Sequence, residues 1–204
     1  MFPMGIRISH WECGVDAQEF ECKAFPTLRG YPMSSESRVT TYTSICLILL
    51  RETRLERNIH QAQIADLLGK SPSAWTKIEN GRSPLTFEEL FRVCRAMNIW
   101  PSALMGAMER YEQFFLNNGL IVIVQTLPFN EDALLSDAQD YYGSPGFRAR
   151  GPQWGCAALN GPHWFNNSVS IPDVFRFSLD TDFREKQLNP PVLQHSTYPS
   201  TGAL

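Results

Sequence analysis

Side chains able to do covalent or metal chemistry are few and scattered in this sequence. The five cysteines, Cys13, Cys22, Cys46, Cys94 and Cys156, are odd in number and form no CxxC pair, so neither a disulfide framework nor a zinc site is suggested. After His60 the only histidines are His163 and His195, too far apart in sequence to read as clustered ligands. No metal and no cofactor are therefore expected. Cys156 and His163 share the aromatic-rich segment WGCAALNGPHWF, residues 154–165, but no third group stands at a spacing that would orient the imidazole. That segment reads as a loop anchored by its aromatics, with a ligand pocket or a partner surface as the alternative. Asn166 opens an Asn-Asn-Ser glycosylation acceptor, a chance match where no secretion signal precedes it. No catalytic residue is assigned, and the chain is not read as an enzyme.

What remains is hydrogen-bonding chemistry concentrated in residues 64–84, IADLLGKSPSAWTKIENGRSP. An apolar run, a glycine, a Ser-Pro pair and a Glu-Asn-Gly stop predict two short helices broken and rejoined within a few residues. HQAQIADLLG ends at Gly69, suited to the left-handed conformation that closes a helix. SPSAWTKIENG restarts with Ser71 as N-cap and Pro72 at the first helical position, and it ends at Gly81. Trp75 lies between Pro72 and Ile78 at helical spacing and is read as core. Two helices joined this way form a helix-turn-helix, in which the first braces the second so that its outer face can enter a DNA major groove.

The surrounding chain supports that frame. With 204 residues and 43% hydrophobic content, it can bury one sizeable core, or one small domain with appendages. The apolar run ICLILL is too short to span a bilayer and the start lacks a signal-peptide core, so a cytoplasmic protein without membrane partners is expected. The net charge of −3 hides an uneven distribution: residues 44–118 hold nine Lys/Arg against eight Asp/Glu, and residues 119–204 five against eight. Nucleic-acid contact should come from the middle of the chain. Three further helices are read there, from SICLILLRETRLERN, from TFEELFRVCRAMN with its Thr86–Glu89 capping spacing, and from PSALMGAMERYEQFFLNNG. Cys46 and Cys94 fall among their core positions.

Residues 1–43 show no period and are assigned as a disordered arm, with Met33 as an alternative start. LIVIVQTL, residues 120–127, reads as a strand, and DVFRFSL, residues 173–179, as a weaker second one whose adjacent apolar pair spoils the alternation. Pro and Gly interrupt the rest. The domains expected are thus a 1–43 arm, a 44–118 DNA-binding unit, a 119–185 irregular extension with an early strand, and a 186–204 disordered tail.

Over about residues 48–105 the sequence resembles the XRE or Cro-type helix-turn-helix regulators, on Arg54, Gln61, Ile64-Ala65, Leu68-Gly69 and Glu79-Asn80-Gly81 at the family's offsets. The resemblance implies a mainly α protein, a five-helix repressor-like domain with a small irregular α+β C-terminal extension. It implies that Gln61 meets a phosphate and that Pro72, Ser73 and Lys77 stand where base edges are read, with Thr76 beside them. Pro72 has no side-chain donor and offers only apolar contact. Ser71 is a helix cap before it is a base reader, and Asn80 and Arg82 are candidates for phosphate contacts. Arg54 and Glu79 stand at the family's places for a buried ion pair. Some relatives carry a self-cleaving Ser-Lys peptidase, but Lys186, the only lysine after Lys77, sits in a polar segment unsuited to a desolvated base.

The expected function is sequence-specific binding of double-stranded DNA by a repressor or autoregulator. The alternative is an antitoxin-like or controller-like protein whose C-terminal part binds a protein partner. Family members act as symmetric dimers, and Leu104, Met108, Tyr111 and Phe115 form an apolar stripe expected to serve that interface, with residues 120–127 pairing across the two-fold axis as an edge strand. The competing expectation is that this stripe packs against the chain's own extension.

Overall fold

The computed structural model describes residues 38–150, 157–166 and 168–190. The readings placed on the first 37 residues, on Cys156 and on the tail beyond residue 190 lie outside these. The described residues are mostly helical, with two small two-stranded sheets.

Strand β1 (Arg38–Thr41) leads into α1 (Tyr42–Glu56), whose N-terminus is capped by Thr41 Oγ1 accepting from the Ser44 N–H at 3.1 Å. Residues 45–50 of α1 are all buried, none more than 6% exposed. A helix apolar on every side needs cover on every side. Helices α2 (Gln61–Leu68), α3 (Pro72–Glu79), α4 (Phe87–Ala96) and α5 (Pro101–Asn117) follow, with α3 and α5 packing directly on α1. The Thr86–Glu89 capping box opens α4 as the spacing predicts. Strand β2 (Leu120–Ile123) then pairs with β1 in parallel, Arg38 opposite Leu120 and Thr41 opposite Ile123.

The second layer contains α6 (Ala133–Gly143), α7 (Pro145–Ala149), α8 (Ala157–Asn160), α9 (Asp173–Leu179) and α10 (Thr181–Leu188), with the hairpin of β3 (His163–Phe165) and β4 (Ser168–Ser170) between α8 and α9. Helices α6 and α8 pack on α1 as well, and α8 also meets α5. One continuous core therefore runs from α1 through α5 to α6 and α9.

Several expectations are corrected here. Residues 38–41 are a strand rather than part of a disordered arm. Asp132 ties that strand in, its carboxylate accepting from Thr40 Oγ1 at 2.8 Å, Ser44 Oγ at 2.7 Å and the Leu135 N–H at 3.0 Å. Residues 173–179 form a helix, not a strand. The adjacent pair Val174-Phe175 repeats as Phe177, Ser178 and Leu179 three to four positions later, which lines one helical face, and Pro172 precedes the first turn. The extension keeps its early strand at 120–123 and adds helices α6 to α10 with the β3–β4 hairpin, and α10 extends past residue 186.

The dimer stripe is corrected too. Leu104, Met108, Tyr111 and Phe115 are buried within the chain itself, and the rings of Tyr111 and Phe115 lie 4.7 and 5.0 Å from that of Phe175 on α9. The stripe is long because it serves a second layer of its own chain. β2 likewise finds its partner in β1 of the same chain.

Cys46 and Cys94 are buried and free, and burial pushes their thiols up to about 12 and about 11, so they behave as apolar core. Glu52, 1% exposed, accepts from Tyr142 Oη at 2.8 Å and from Arg150 Nη2 at 3.2 Å. Burial raises its pKa, and Arg150 and Tyr142 oppose that rise. A carboxyl whose folded pKa lies above the unfolded one costs stability as pH climbs through that window. Arg150→Met removes the main opposing charge and raises the Glu52 pKa further. Urea unfolding should therefore show a loss of about 3 kcal/mol at pH 7 that shrinks toward pH 4.5 as Glu52 takes up a proton. A loss independent of pH would contradict this account.

Candidate nucleic-acid interface

Helices α2 and α3 meet at Gly69, whose φ of +66° is the left-handed turn expected of that position. Gln63 Oε1 accepts the His60 N–H at 2.8 Å to open α2, and Ser71 Oγ accepts the Ala74 N–H at 3.2 Å to open α3 behind Pro72. Ile64, Ala65 and Leu68 anchor α2, while Trp75, Ile78 and Glu79 anchor α3. The period of 3.6 then leaves Ser73 and Lys77, four residues apart, on the outer face of α3 beside exposed Ser71 and Pro72.

The α2–α3 pair is fastened to α1 by one buried cluster. Arg54 donates from Nε to Glu79 Oε1 at 2.7 Å, from Nη2 to Glu79 Oε2 at 3.0 Å and from Nη1 to the Ile59 carbonyl at 2.9 Å. This is a two-pronged guanidinium–carboxylate pair, and both side chains are buried. Gln61 Nε2 donates to Glu79 Oε2, and Gln61 Oε1 lies 3.3 Å from Thr76 Oγ1. The structure thus turns the Gln61 amide inward, between Glu79 and the edge of the outer face. The Thr76 hydroxyl also lies 2.9 Å from the Pro72 carbonyl, which leaves its oxygen as an acceptor.

Lys77 forms no ion pair with a described residue, whereas Lys70 pairs with Glu89 at 2.8 Å. Burial raises the Glu89 carboxyl, but Lys70 and the Thr86 hydrogen bonds outweigh it and hold the group below its ordinary range. The positive charge left on this side is carried by Lys77 and by exposed Arg82, whose guanidinium stands 5.7 Å from the Phe129 ring. Asn80 is half-buried and its Oδ1 accepts from Arg51 Nη1 at 3.0 Å. Arg51, Phe129 and Gln139 are participants that sequence reasoning missed. Arg51 reads as an ordinary solvated charge, and the helical recurrence of Leu134, Leu135, Ala138, Tyr141 and Tyr142 behind Asp132 was the available signal for α6.

Among the described residues there is no group of His, Cys, Asp and Glu that could hold a metal, and no helix is long and apolar enough to cross a membrane. His163 is exposed on β3 and Lys186 is exposed on α10. Residues 50–102, about a quarter of the chain, match the family model described as helix-turn-helix. No curated protein and no solved structure matches the chain.

Glu79→Ala strips Arg54 of its buried counter-charge and Gln61 of its acceptor. Urea unfolding should show a loss of about 3–5 kcal/mol, well above that of an exposed pair. A loss under about 1 kcal/mol, the range of surface pairs, would contradict the role of the cluster.

Proposed function

We propose, from the premise that residues 50–102 form an XRE/Cro-type helix-turn-helix domain of a DNA-binding transcription regulator, that this protein is a repressor or autoregulator acting on an operator near a promoter. The observation that supports this reading best is the division of α3 into an inner face, Trp75, Ile78 and Glu79, and an outer face carrying Ser73 and Lys77. Lys77 donates to guanine O6 and N7, Ser73 bonds a neighbouring base edge, and Pro72 offers apolar contact to a thymine methyl. Thr76 accepts at the edge of the face, held there by Gln61. Asn80 and Arg82 contact phosphate and set register, and Ser71 acts as the cap that fixes the start of the reading helix. A regulator bound over promoter DNA then blocks access to it.

One reading helix makes too few contacts for tight binding at physiological salt, so we propose a two-fold dimer on two half-sites. With the α5 stripe buried, a different surface supports the dimer. Phe87, Phe91 and Trp100 are 74%, 45% and 80% exposed, the rings of Phe87 and Phe91 lie 4.6 Å apart, and Phe91 and Trp100 line one groove with Arg92 and Arg95. A self-complementary interface brings such a patch against its own copy. The antitoxin-like or controller-like alternative assigns a partner of different sequence instead.

Selection of bound sites from random DNA should return an inverted repeat. Lys77→Ala should weaken the selected site by about 1–3 kcal/mol and relax preference at one base pair, whereas Arg82→Ala should weaken all sequences alike and lower the salt slope by about one. An unchanged motif at unchanged affinity for Lys77→Ala would remove its base-reading role. Sedimentation equilibrium at micromolar concentration should give a dimer that Trp100→Glu dissociates. A monomer protecting one unrepeated half-site would sink the dimer, and a heteromeric complex would favour the alternative.

A further inference from the structure

The turn that ends the reading helix is held from outside the helix-turn-helix. Three consecutive residues, Asn80, Gly81 and Arg82, each meet α6 or the segment that leads into it. Gln139 Nε2 of α6 donates to the Asn80 carbonyl at 3.3 Å. Gly81 has a φ of +71°, and a Cβ placed there would lie 2.5 Å from Leu135 Cδ2, so α6 sits directly on its backbone. The Arg82 guanidinium stands over Phe129, in the segment between β2 and α6.

The firmest of these links runs through Arg51. Its guanidinium stacks on the Tyr142 ring of α6 at 3.4 Å and donates to Asn80 Oδ1 at 3.0 Å. Arg51 Nε is buried without a hydrogen-bond partner among the described residues, so its pose is set by the ring and by Asn80. The ring is fixed in turn, because Tyr142 Oη donates to buried Glu52 at 2.8 Å. A chain of contacts therefore runs from α6 through Arg51 to the side chain of Asn80.

We propose that Tyr142, Arg51 and Gln139 are positioning residues for DNA recognition, through which the second layer sets the pose of Asn80 and of the end of the reading helix. The inference rests on the reading of α3 as the groove helix and of Asn80 as a phosphate contact. Arg51 and Tyr142 touch no DNA in this scheme. They keep the Asn80 amide aimed while Lys77 and Ser73 engage the bases, and loosening them costs affinity through lost orientation.

The test uses the full chain and the operator returned by selection, at a temperature where circular dichroism shows each variant folded. Tyr142→Ala and Arg51→Met should each weaken operator binding about fivefold, the scale of one ordinary hydrogen bond. The double variant should lose no more than either single one, because both cut the same link. Tyr142→Phe keeps the ring under Arg51 but removes its tie to Glu52, and should bind between Tyr142→Ala and the parent. The salt slope should stay that of the parent in every case, since no phosphate contact by a cation is removed.

If Tyr142→Ala and Arg51→Met bind like the parent while Lys77→Ala is weakened, the positioning role is wrong and the reading of α3 stands. If Lys77→Ala is also unchanged, the reading itself fails. A salt slope reduced by about one in Arg51→Met would make Arg51 a direct phosphate contact and overturn the proposal. Should Tyr142→Ala not fold, Gln139→Ala removes only the bond to the Asn80 carbonyl. It should weaken binding about twofold to threefold, and parent-like affinity in both it and Arg51→Met would overturn the proposal.

Discussion

A helix with six consecutive buried apolar residues cannot lie on a surface, and the rest of this structure follows from covering α1. Residues 45–50 place apolar side chains around the full circumference of the helix. Helices α3, α5, α6 and α8 together supply that cover. The helix-turn-helix unit and the C-terminal extension consequently share a core, and the continuity of Tyr111 and Phe115 with Phe175 runs directly across the end of α5. An extension docked in this way can hold α3 in place rather than trail behind it.

Polar groups at the seams of that core are specific rather than numerous. Asp132 fastens β1 and the start of α1 to α6, Asp137 meets Arg38, Arg184 at 2.6 Å and Ser178 Oγ at 2.7 Å, and Glu52 meets Tyr142 and Arg150. These contacts join residues 41 to 99 apart in the chain. Buried ion pairs gain little net stability over apolar packing, yet a wrong docking would strand a charge, so they select one arrangement of the two layers. Arg54 and Glu79 do the same work on a smaller scale, locking α3 to α1 while the Gln61 amide is drawn in beside them.

The helix-turn-helix was legible because its signals are local. Gly69, the Ser71-Pro72 start, the Thr86–Glu89 spacing and Gly81 each act within a turn or two, through caps and left-handed φ values that any surroundings must respect. The outer face of α3 follows from the same local period. Less of the second layer was legible. Its prolines and glycines cluster at helix starts and turns, where they read as loop, and α9 is too short for composition to separate helix from strand.

By itself, the sequence determined the elements of residues 44–118, the order in which they connect and the side chains that α3 turns outward, since all of these depend on neighbours a few residues away. Tertiary structure alone decided what the long apolar stripe of α5 faces, because an apolar stripe specifies burial and not the identity of its partner. It decided that Arg38–Thr41 is a strand, which needs residues 120–123 beside it to satisfy its backbone. It also decided that Arg51 and Gln139 meet Asn80, contacts spanning 29 and 59 residues that no local pattern encodes.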